Sequence, residues 1–202
     1  MDINNSQNSY RYLITDEQRA KELISGSYLS SDHPVEAWER GRCFIASTIN
    51  HDGTILDIGC ANGFLLKSLQ AWCSYTLDPY GIDANDDDIS KAKELFPDLT
   101  DHFITAQLHI FLKNYPSHFP QKFDFIYWAV WTNYDLTKEE IHEVLTHINE
   151  NGRLILGFYP DDSHEPSDIR NNSDKVREFG FDMIIVENPT PQRSEKLVII
   201  EK

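Results

Sequence analysis

Short apolar runs alternate along most of the chain with segments whose apolar residues recur at helical spacing. Because this alternation is typical of α/β proteins, it predicts a mostly parallel sheet with right-handed crossovers. The apolar runs predict seven strands, at 54–58, 80–83, 103–106, 123–130, 153–158, 183–187 and 196–200. The helical spacing predicts helices at 64–72, 86–96, 108–115, 138–148 and about 173–179.

The two ends of the chain depart from this alternation. The last two strands are joined by residues 188–195, a turn-like linker too short for a helix, so they are expected to pair as an antiparallel hairpin. The first 50 residues are expected to be helical at about 15–25 and 34–50. The sequence therefore predicts a three-layer α/β sandwich with a seven-stranded sheet, a domain over 51–202 and an N-terminal helical cap over 1–50.

Two local signals bound the fourth major helix. Thr137 and Glu140, three residues apart, have the spacing of a capping box, so the helix is expected to begin after Thr137. Asn151 and Gly152 are expected to end it, ahead of a strand that begins at Arg153.

Composition narrows the possible functions. The 202 residues suffice for one sizeable core, and no stretch approaches the ~20 apolar residues of a membrane helix. The formal net charge is −15 with only 18 Lys and Arg, which disfavours nucleic acid and anionic membranes as partners. Three cysteines without C-x-x-C spacing argue against a disulfide framework or a structural zinc site. With a polar N-terminus unlike a signal peptide, a soluble cytoplasmic protein is expected.

The chemistry is concentrated in the loop that follows the first predicted strand. It reads Asp57-Ile58-Gly59-Cys60-Ala61-Asn62-Gly63, and Asp83 follows 20 residues after Gly63, where the second strand ends. Gly59 and Gly63 permit a tight turn and a close approach of a ligand to the backbone. The helix that begins near Gly63 adds unpaired N–H groups with a partial positive charge. An acidic residue at the end of the second strand can bind a ribose.

These residues resemble the signature of the class I, Rossmann-like, S-adenosylmethionine-dependent methyltransferases. Asp57, Gly59, Gly63 and Asp83 match that signature, and the resemblance covers about residues 53–202. The sequence departs from it at Ala61, where the family usually has its middle glycine. An alanine is expected to be tolerated there if its φ is negative.

The resemblance implies S-adenosyl-L-methionine as cofactor and a role for each matching residue. Gly59 and Cys60 would line its methionine part, and Asp57 would orient the loop. Asp83 would hold the ribose, and Ala84 would lie against the adenine.

Two further strand ends complete the cofactor site that the resemblance implies. Ala106 and Gln107 occupy the place where the third strand usually ends in an acidic residue, and the side-chain oxygen of Gln107 can accept the same bond from the adenine amino group. Trp128 and Ala129, near the end of the fourth strand, would border the methionine and the sulfonium.

Two other functions stay open on the sequence. A nicotinamide-dependent oxidoreductase is the nearest enzyme alternative, although the loop lacks the G-x-G-x-x-G spacing. A cofactor-binding regulatory protein without activity is the other, because a fold does not establish an activity. The acidic residues 86–88 are interpreted as the first turn of a helix, so no metal is expected.

The acceptor is predicted to be a small molecule that is methylated on oxygen, nitrogen or carbon. No Asn/Asp-Pro-Pro-aromatic sequence follows the fourth strand, which removes the usual sign of amino-methylation on nucleobases or glutamine amides. Walls for the acceptor are expected from residues 26–42, 131–136 and 159–168, which are rich in aromatic side chains.

Three further side chains are candidates for the site. His33 or His164 is hypothesised to be the general base, if one is used; a solvated loop histidine is the alternative for each. Arg42 is hypothesised to reach the cofactor carboxylate, since a planar guanidinium suits a carboxylate; a surface salt bridge is its alternative.

Overall fold

The computed structural model describes residues 10–25, 33–130, 134–158, 173–190 and 195–202. The chain forms two compact units that divide after Gln107. The expected boundary near residue 50, between a cap and a methyltransferase domain, stays a prediction. Among the described residues, no helix is long and apolar enough to cross a membrane.

The first unit contains the N-terminal helices and three strands. Residues 10–15 are helical (α1), and short 3₁₀ helices cover Cys43–Thr48 and Thr100–His102. Its other elements are α2 (Glu17–Ser25), α3 (Pro34–Arg42), β1 (Gly53–Ile58), α4 (Phe64–Trp72), β2 (Leu77–Asp83), α5 (Asp86–Leu95) and β3 (Phe103–Thr105).

The second unit contains four strands and three helices among its described residues. They are α6 (Leu108–Lys113), β4 (Phe123–Val130), α7 (Lys138–Thr146), β5 (Ile148–Phe158), α8 (173–178), β6 (Ile184–Glu187) and β7 (Lys196–Glu201).

The seven strands form one sheet in the order β3-β2-β1-β4-β5-β7-β6. The β1–β2, β2–β3 and β4–β5 pairs are parallel, whereas β7 runs antiparallel to both β5 and β6. The mostly parallel seven-stranded sheet with a terminal antiparallel hairpin is therefore confirmed. The long apolar run of β4 is buried along nearly its whole length, as expected of a central parallel strand.

An aromatic cluster attaches the N-terminal helices to α4. The ring of Trp38 stacks on Phe64 with a centroid distance of 5.3 Å, and its indole N–H donates to Ser68 Oγ at 3.0 Å. Tyr10 stacks on Phe64 at 6.0 Å and meets Trp72 edge-on at 5.6 Å. Aromatic pairs of this kind stabilise beyond the area they bury. The N-terminal helices are thus built into the core of the first unit.

The structure corrects the sequence prediction at two helix ends. The helix expected over 34–50 ends at Arg42 and gives way to a 3₁₀ helix over Cys43–Thr48. The capping box between Thr137 and Glu140 is confirmed, but α7 ends at Thr146 instead of Ile148.

Asn151 and Gly152 lie inside β5 and do not end a helix, contrary to the prediction. Asn151 has a φ of 67°, a conformation that asparagine tolerates better than most residues. A Cβ on Gly152 would approach the carbonyl oxygen of Asp124 to 2.7 Å, so only glycine fits against β4. The β4–β5 register shifts between Phe123 and Phe125, opposite this irregularity.

Candidate functional site

The turn between β1 and α4 is the centre of the candidate site. Gly59 and Gly63 have φ values of 80° and 74°, which glycine adopts at no steric cost. The backbone N–H groups of Gly59 and Cys60 both donate to the carbonyl of Ile82, at 2.8 and 3.0 Å. The loop is therefore tied to the end of β2, where Asp83 lies.

Ala61 adopts a left-handed conformation, with a φ of 45°. The condition under which an alanine was expected to be tolerated here, a negative φ, is therefore not met. A left-handed conformation costs an L-residue about 1–2 kcal/mol, a cost that glycine avoids. The backbone N–H of Ala61 donates to Asp83 Oδ2 at 2.9 Å, and this charge-assisted bond offsets part of the cost.

Asp83 holds the loop and the start of the next helix at once. Its Oδ2 accepts from Ala61, and its Oδ1 accepts from the backbone N–H of Asn85 at 2.8 Å. A carboxylate oxygen has two lone pairs, so each oxygen can accept one more hydrogen bond. Asp83 is only partly buried, and Ala84 beside it is exposed. The carboxylate is thus held in place with acceptor capacity left for a ligand.

Asp57 is a buried carboxyl group with an unsatisfied acceptor. Its side chain is 2% exposed, and its Oδ1 has no hydrogen-bond partner. Burial, together with the charge of Asp83, raises the pKa of Asp57 to about 8. Buried acceptors in native structures are nearly always hydrogen-bonded, so this exception marks Asp57 as a candidate for a functional role.

Gly59 leaves open space at the same loop, because a Cβ placed on it would meet no atom within 4 Å. A ligand that approaches the loop backbone fits this space, and Asp83 next to the loop keeps acceptor capacity for it. The residues present therefore fit S-adenosylmethionine.

Cys60 packs against β2. It is 3% exposed, and a Cβ on Gly81 would lie 2.6 Å from its sulfur atom, so Gly81 provides the room that the thiol occupies. Burial raises the pKa of this thiol well above its usual value, and the charges of Asp57 and Asp83 add to the effect. The thiol is therefore protonated at neutral pH and acts in packing.

The end of β3 joins the same site. The backbone N–H of Ala106 donates to the carbonyl of Asp83 at 2.8 Å, and Gln107 next to it is exposed. The first unit thus brings together most of the residues that the sequence singled out for the cofactor: Asp57, Gly59, Cys60, Gly63, Asp83, Ala84, Ala106 and Gln107.

Arg42 and His33 lie on either end of α3. Arg42 is 8% exposed; its guanidinium carbon lies 5.8 Å from the ring centre of Trp38, and its Nη1 donates to the carbonyl of Gly41 at 3.2 Å. It is therefore not a surface side chain. His33 is exposed at the N-cap of α3 and makes no side-chain cap bond. It borders a shallow pocket together with Glu17, Glu36 and Glu39.

In the second unit, Trp128 belongs to a polar and aromatic group near the end of β4. Trp128 is 4% exposed and meets Tyr134 edge-on, with a centroid distance of 5.4 Å. The Tyr134 hydroxyl donates to Glu140 Oε1 at 2.5 Å, and Glu140 also closes the capping box with Thr137. Partial burial and the bond to Glu140 raise the pKa of Tyr134. His164 lies outside the described residues.

Sequence reasoning missed Asn62. Its side chain is 7% exposed; Oδ1 accepts from the backbone N–H of Phe64 at 3.1 Å, and Nδ2 donates to the carbonyl of Leu23 at 2.8 Å. The only signal in the sequence is an amide side chain inside the glycine loop. Within the described ranges, no group of three or more His, Cys, Asp or Glu side chains forms a metal site.

Comparison with known proteins agrees with this geometry. Residues 31–184 match a family model described as a methyltransferase domain. No curated protein sequence matches the chain significantly.

Three solved structures share the fold. A SAM-dependent methyltransferase from Aquifex aeolicus has a TM-score of 0.61 at 16% identity, covering 92% of this chain and 98% of that one. The plantazolicin methyltransferase BpumL, in complex with SAH, has a TM-score of 0.60 at 16% identity, with coverage of 99% and 96%. A ribosomal protein L11 methylase from Lactobacillus delbrueckii subsp. bulgaricus has a TM-score of 0.54 at 15% identity, with coverage of 79% and 77%.

The chain belongs to the class I, Rossmann-like family of S-adenosylmethionine-dependent methyltransferases. Its cofactor is S-adenosylmethionine, and the nicotinamide-dependent alternative is set aside.

Proposed function

We propose that this enzyme transfers a methyl group from S-adenosylmethionine to a small-molecule acceptor, and that the Gly59–Gly63 loop and Asp83 hold the cofactor. The observation that carries the cofactor assignment is the bond between Ala61 N–H and Asp83 Oδ2, which fixes the loop against the carboxylate. Open space at Gly59 and the unsatisfied Oδ1 of Asp57 support it.

Each of these residues has a defined part in the proposal. Asp83 accepts the ribose hydroxyls on its remaining lone pairs, and Ala84 lies against the adenine. Gly59 and Cys60 border the methionine part, and Asp57 orients the loop. We propose that Gln107 accepts from the adenine amino group, because Ala106 is tied to Asp83 and Gln107 is exposed beside it.

Three further residues are proposed for the cofactor site. Trp128 borders the methionine part with Ala129. Arg42 is proposed to pair with the cofactor carboxylate. Its guanidinium is already buried over Trp38, so it lies in a setting where an ion pair is weakly screened by water.

The charge of the chain supports a small-molecule acceptor. A net charge of −15 repels the phosphate backbone of nucleic acids. The structural neighbours do not decide the point, since one is named for plantazolicin and another for a ribosomal protein. Methylation of a small molecule is the proposal, and methylation of a protein is its competitor.

Methyl transfer requires few catalytic groups from the protein. The cofactor supplies a methyl group that its sulfonium already activates. The residues of the chain position the acceptor in line with that methyl group and exclude water, and positioning alone supplies much of the rate. A base is needed only for an acceptor that carries a proton at neutral pH. We propose His33 or His164 for that task, with walls from residues 26–42, 131–136 and 159–168, parts of which lie outside the described residues.

A labelling experiment tests the proposal. The purified enzyme and methyl-labelled S-adenosylmethionine are incubated separately with low-molecular-mass, protein and RNA fractions of a cytoplasmic extract, since we also propose a cytoplasmic location. A labelled product distinct from the cofactor is expected in the low-molecular-mass fraction, and its formation at limiting cofactor concentration is expected to fall with Asp83→Ala. Label confined to protein or RNA would overturn the acceptor class and leave the cofactor assignment intact.

A further inference from the structure

Asn62 connects two parts of the first unit that are far apart in sequence. It lies in the Gly59–Gly63 loop, called the cofactor loop below, between Ala61 and Gly63, which both have a left-handed backbone conformation. Its carboxamide is buried. The oxygen of that carboxamide accepts from Phe64 N–H in the first turn of α4, and the nitrogen donates to Leu23 O in the last turn of α2. One side chain therefore bridges the start of one helix and the end of another.

Both bonds are made to backbone groups near helix ends. The first N–H groups and the last carbonyl groups of a helix have no partner within the helix. Asn62 supplies a partner to each, a donor to α2 and an acceptor to α4. Because the two partners lie on opposite sides of a single planar amide, α2 and the cofactor loop hold each other in position.

Asn62 lies between a cleft and the aromatic cluster of the N-terminal helices. A cleft of about 450 Å³ opens beside it, lined by Arg19 and Glu22 of α2 and by Lys91 and Glu94 of α5. On the other side, Phe64 is 1% exposed and stacks on Trp38 and Tyr10, so the residue whose N–H donates to Asn62 is itself held by the N-terminal helices.

We propose that Asn62 is a positioning residue that couples the docking of α2 to the order of the cofactor loop. The cofactor holds the loop in the conformation that presents Asn62 to Leu23, so binding at the loop stabilises α2. By linkage, a docked α2 strengthens cofactor binding by the same factor. The N-terminal helices then contribute to cofactor binding through Asn62. This inference rests on the proposed function, which places the cofactor at the Gly59–Gly63 loop.

Amide hydrogen exchange measured with and without S-adenosylhomocysteine tests the coupling. In the wild type, saturating ligand is expected to slow exchange in α2 (Glu17–Ser25) as well as in the loop. Asn62→Asp keeps an oxygen for Phe64 N–H and loses the donor to Leu23. This variant is expected to bind S-adenosylhomocysteine about 5- to 50-fold more weakly and to lose the ligand-dependent protection of α2.

Asn114→Asp is the matched control, because Asn114 is exposed and its side-chain amide donates to the carbonyl of Ile110 in a helix of the second unit. It introduces the same charge, and its affinity and exchange pattern are expected to equal those of the wild type. Ligand-independent exchange in wild-type α2 would overturn the coupling even if Asn62→Asp failed to fold. Wild-type affinity for S-adenosylhomocysteine together with wild-type protection of α2 in Asn62→Asp would also overturn the coupling. If the wild type bound no ligand at all, the proposed cofactor site would be contradicted instead. Faster exchange of both α2 and the loop in unliganded Asn62→Asp would then still support the structural link that Asn62 makes between them.

Discussion

The carboxylate of Asp83 accepts a hydrogen bond from the backbone N–H of Ala61 at 2.9 Å, across 22 positions of the chain. This bond gives Asp83 two tasks, to fix the loop and to present the remaining lone pairs to a ligand. Asp83→Ala is therefore expected to weaken S-adenosylhomocysteine binding by about 1–3 kcal/mol, measured by calorimetry. Asp182→Ala, an exposed position that loses the same charge, should leave binding unchanged. Equal affinities in the two variants would remove Asp83 from the site.

Ala61→Gly is expected to stabilise the protein. Glycine relieves the left-handed strain at φ 45°, and the gain exceeds the added freedom of the unfolded chain by about 0.5–1 kcal/mol. This corresponds to a rise in Tm of roughly 1–4 °C, measured by thermal unfolding. Ala37→Gly, inside α3, is the contrasting control and should cost about 1 kcal/mol. A loss of stability in both variants would contradict the strain at Ala61.

Asp57 predicts a particular dependence of stability on pH. Its folded pKa of about 8 lies above the ordinary value of 3.8, so the folded state holds a proton that the unfolded state releases. The contribution of Asp57 is fully present below about pH 4 and is lost as the pH rises through about 8. In urea unfolding between pH 5 and 9, the wild type should lose stability with rising pH relative to Asp57→Asn, which cannot ionise. A difference in the free energy of unfolding between the two proteins that stays constant across that range would contradict the raised pKa of Asp57.

Two glycines of the site should respond differently to the same substitution. Gly81→Ala places a methyl group 2.6 Å from the sulfur of Cys60 and is expected to destabilise the protein by about 1–3 kcal/mol, with partial rescue by Cys60→Ala. Gly59→Ala meets no atom of the protein, so it should cost only about 1–2 kcal/mol through its φ of 80°.

The same Gly59→Ala methyl group occupies the space assigned to the ligand. It is therefore expected to weaken S-adenosylhomocysteine binding about tenfold or more, measured by calorimetry. Wild-type affinity in Gly59→Ala would show that the open space is not used.

The sequence predicted the parts of this molecule that depend on local pattern. The helix Phe64–Trp72 and the strand Phe123–Val130 have the bounds that their apolar spacing indicated. The prediction that Asn151 and Gly152 end a helix was wrong because an Asn-Gly pair suits both a helix end and a β-bulge. The close approach of Gly152 to Asp124, which distinguishes these two structures, is a contact between distant segments.

Contacts between distant segments set the rest of the site. The bond from Asn62 to Leu23 joins residues 39 positions apart, and no pattern in one sequence reports such a pair. Ala61 shows the same limit, since the carboxylate that accepts from its N–H lies 22 positions away in the chain. The class of cofactor could be predicted, because it depends on a short motif, whereas the contacts that hold the motif in place could not.

Titration of the wild-type protein with S-adenosylhomocysteine, in parallel with NADH, tests the central claim most directly. We expect saturable binding of S-adenosylhomocysteine at one site per chain, weakened in Asp83→Ala, and no binding of NADH. Binding of NADH with no detectable binding of S-adenosylhomocysteine at millimolar concentration would contradict the account.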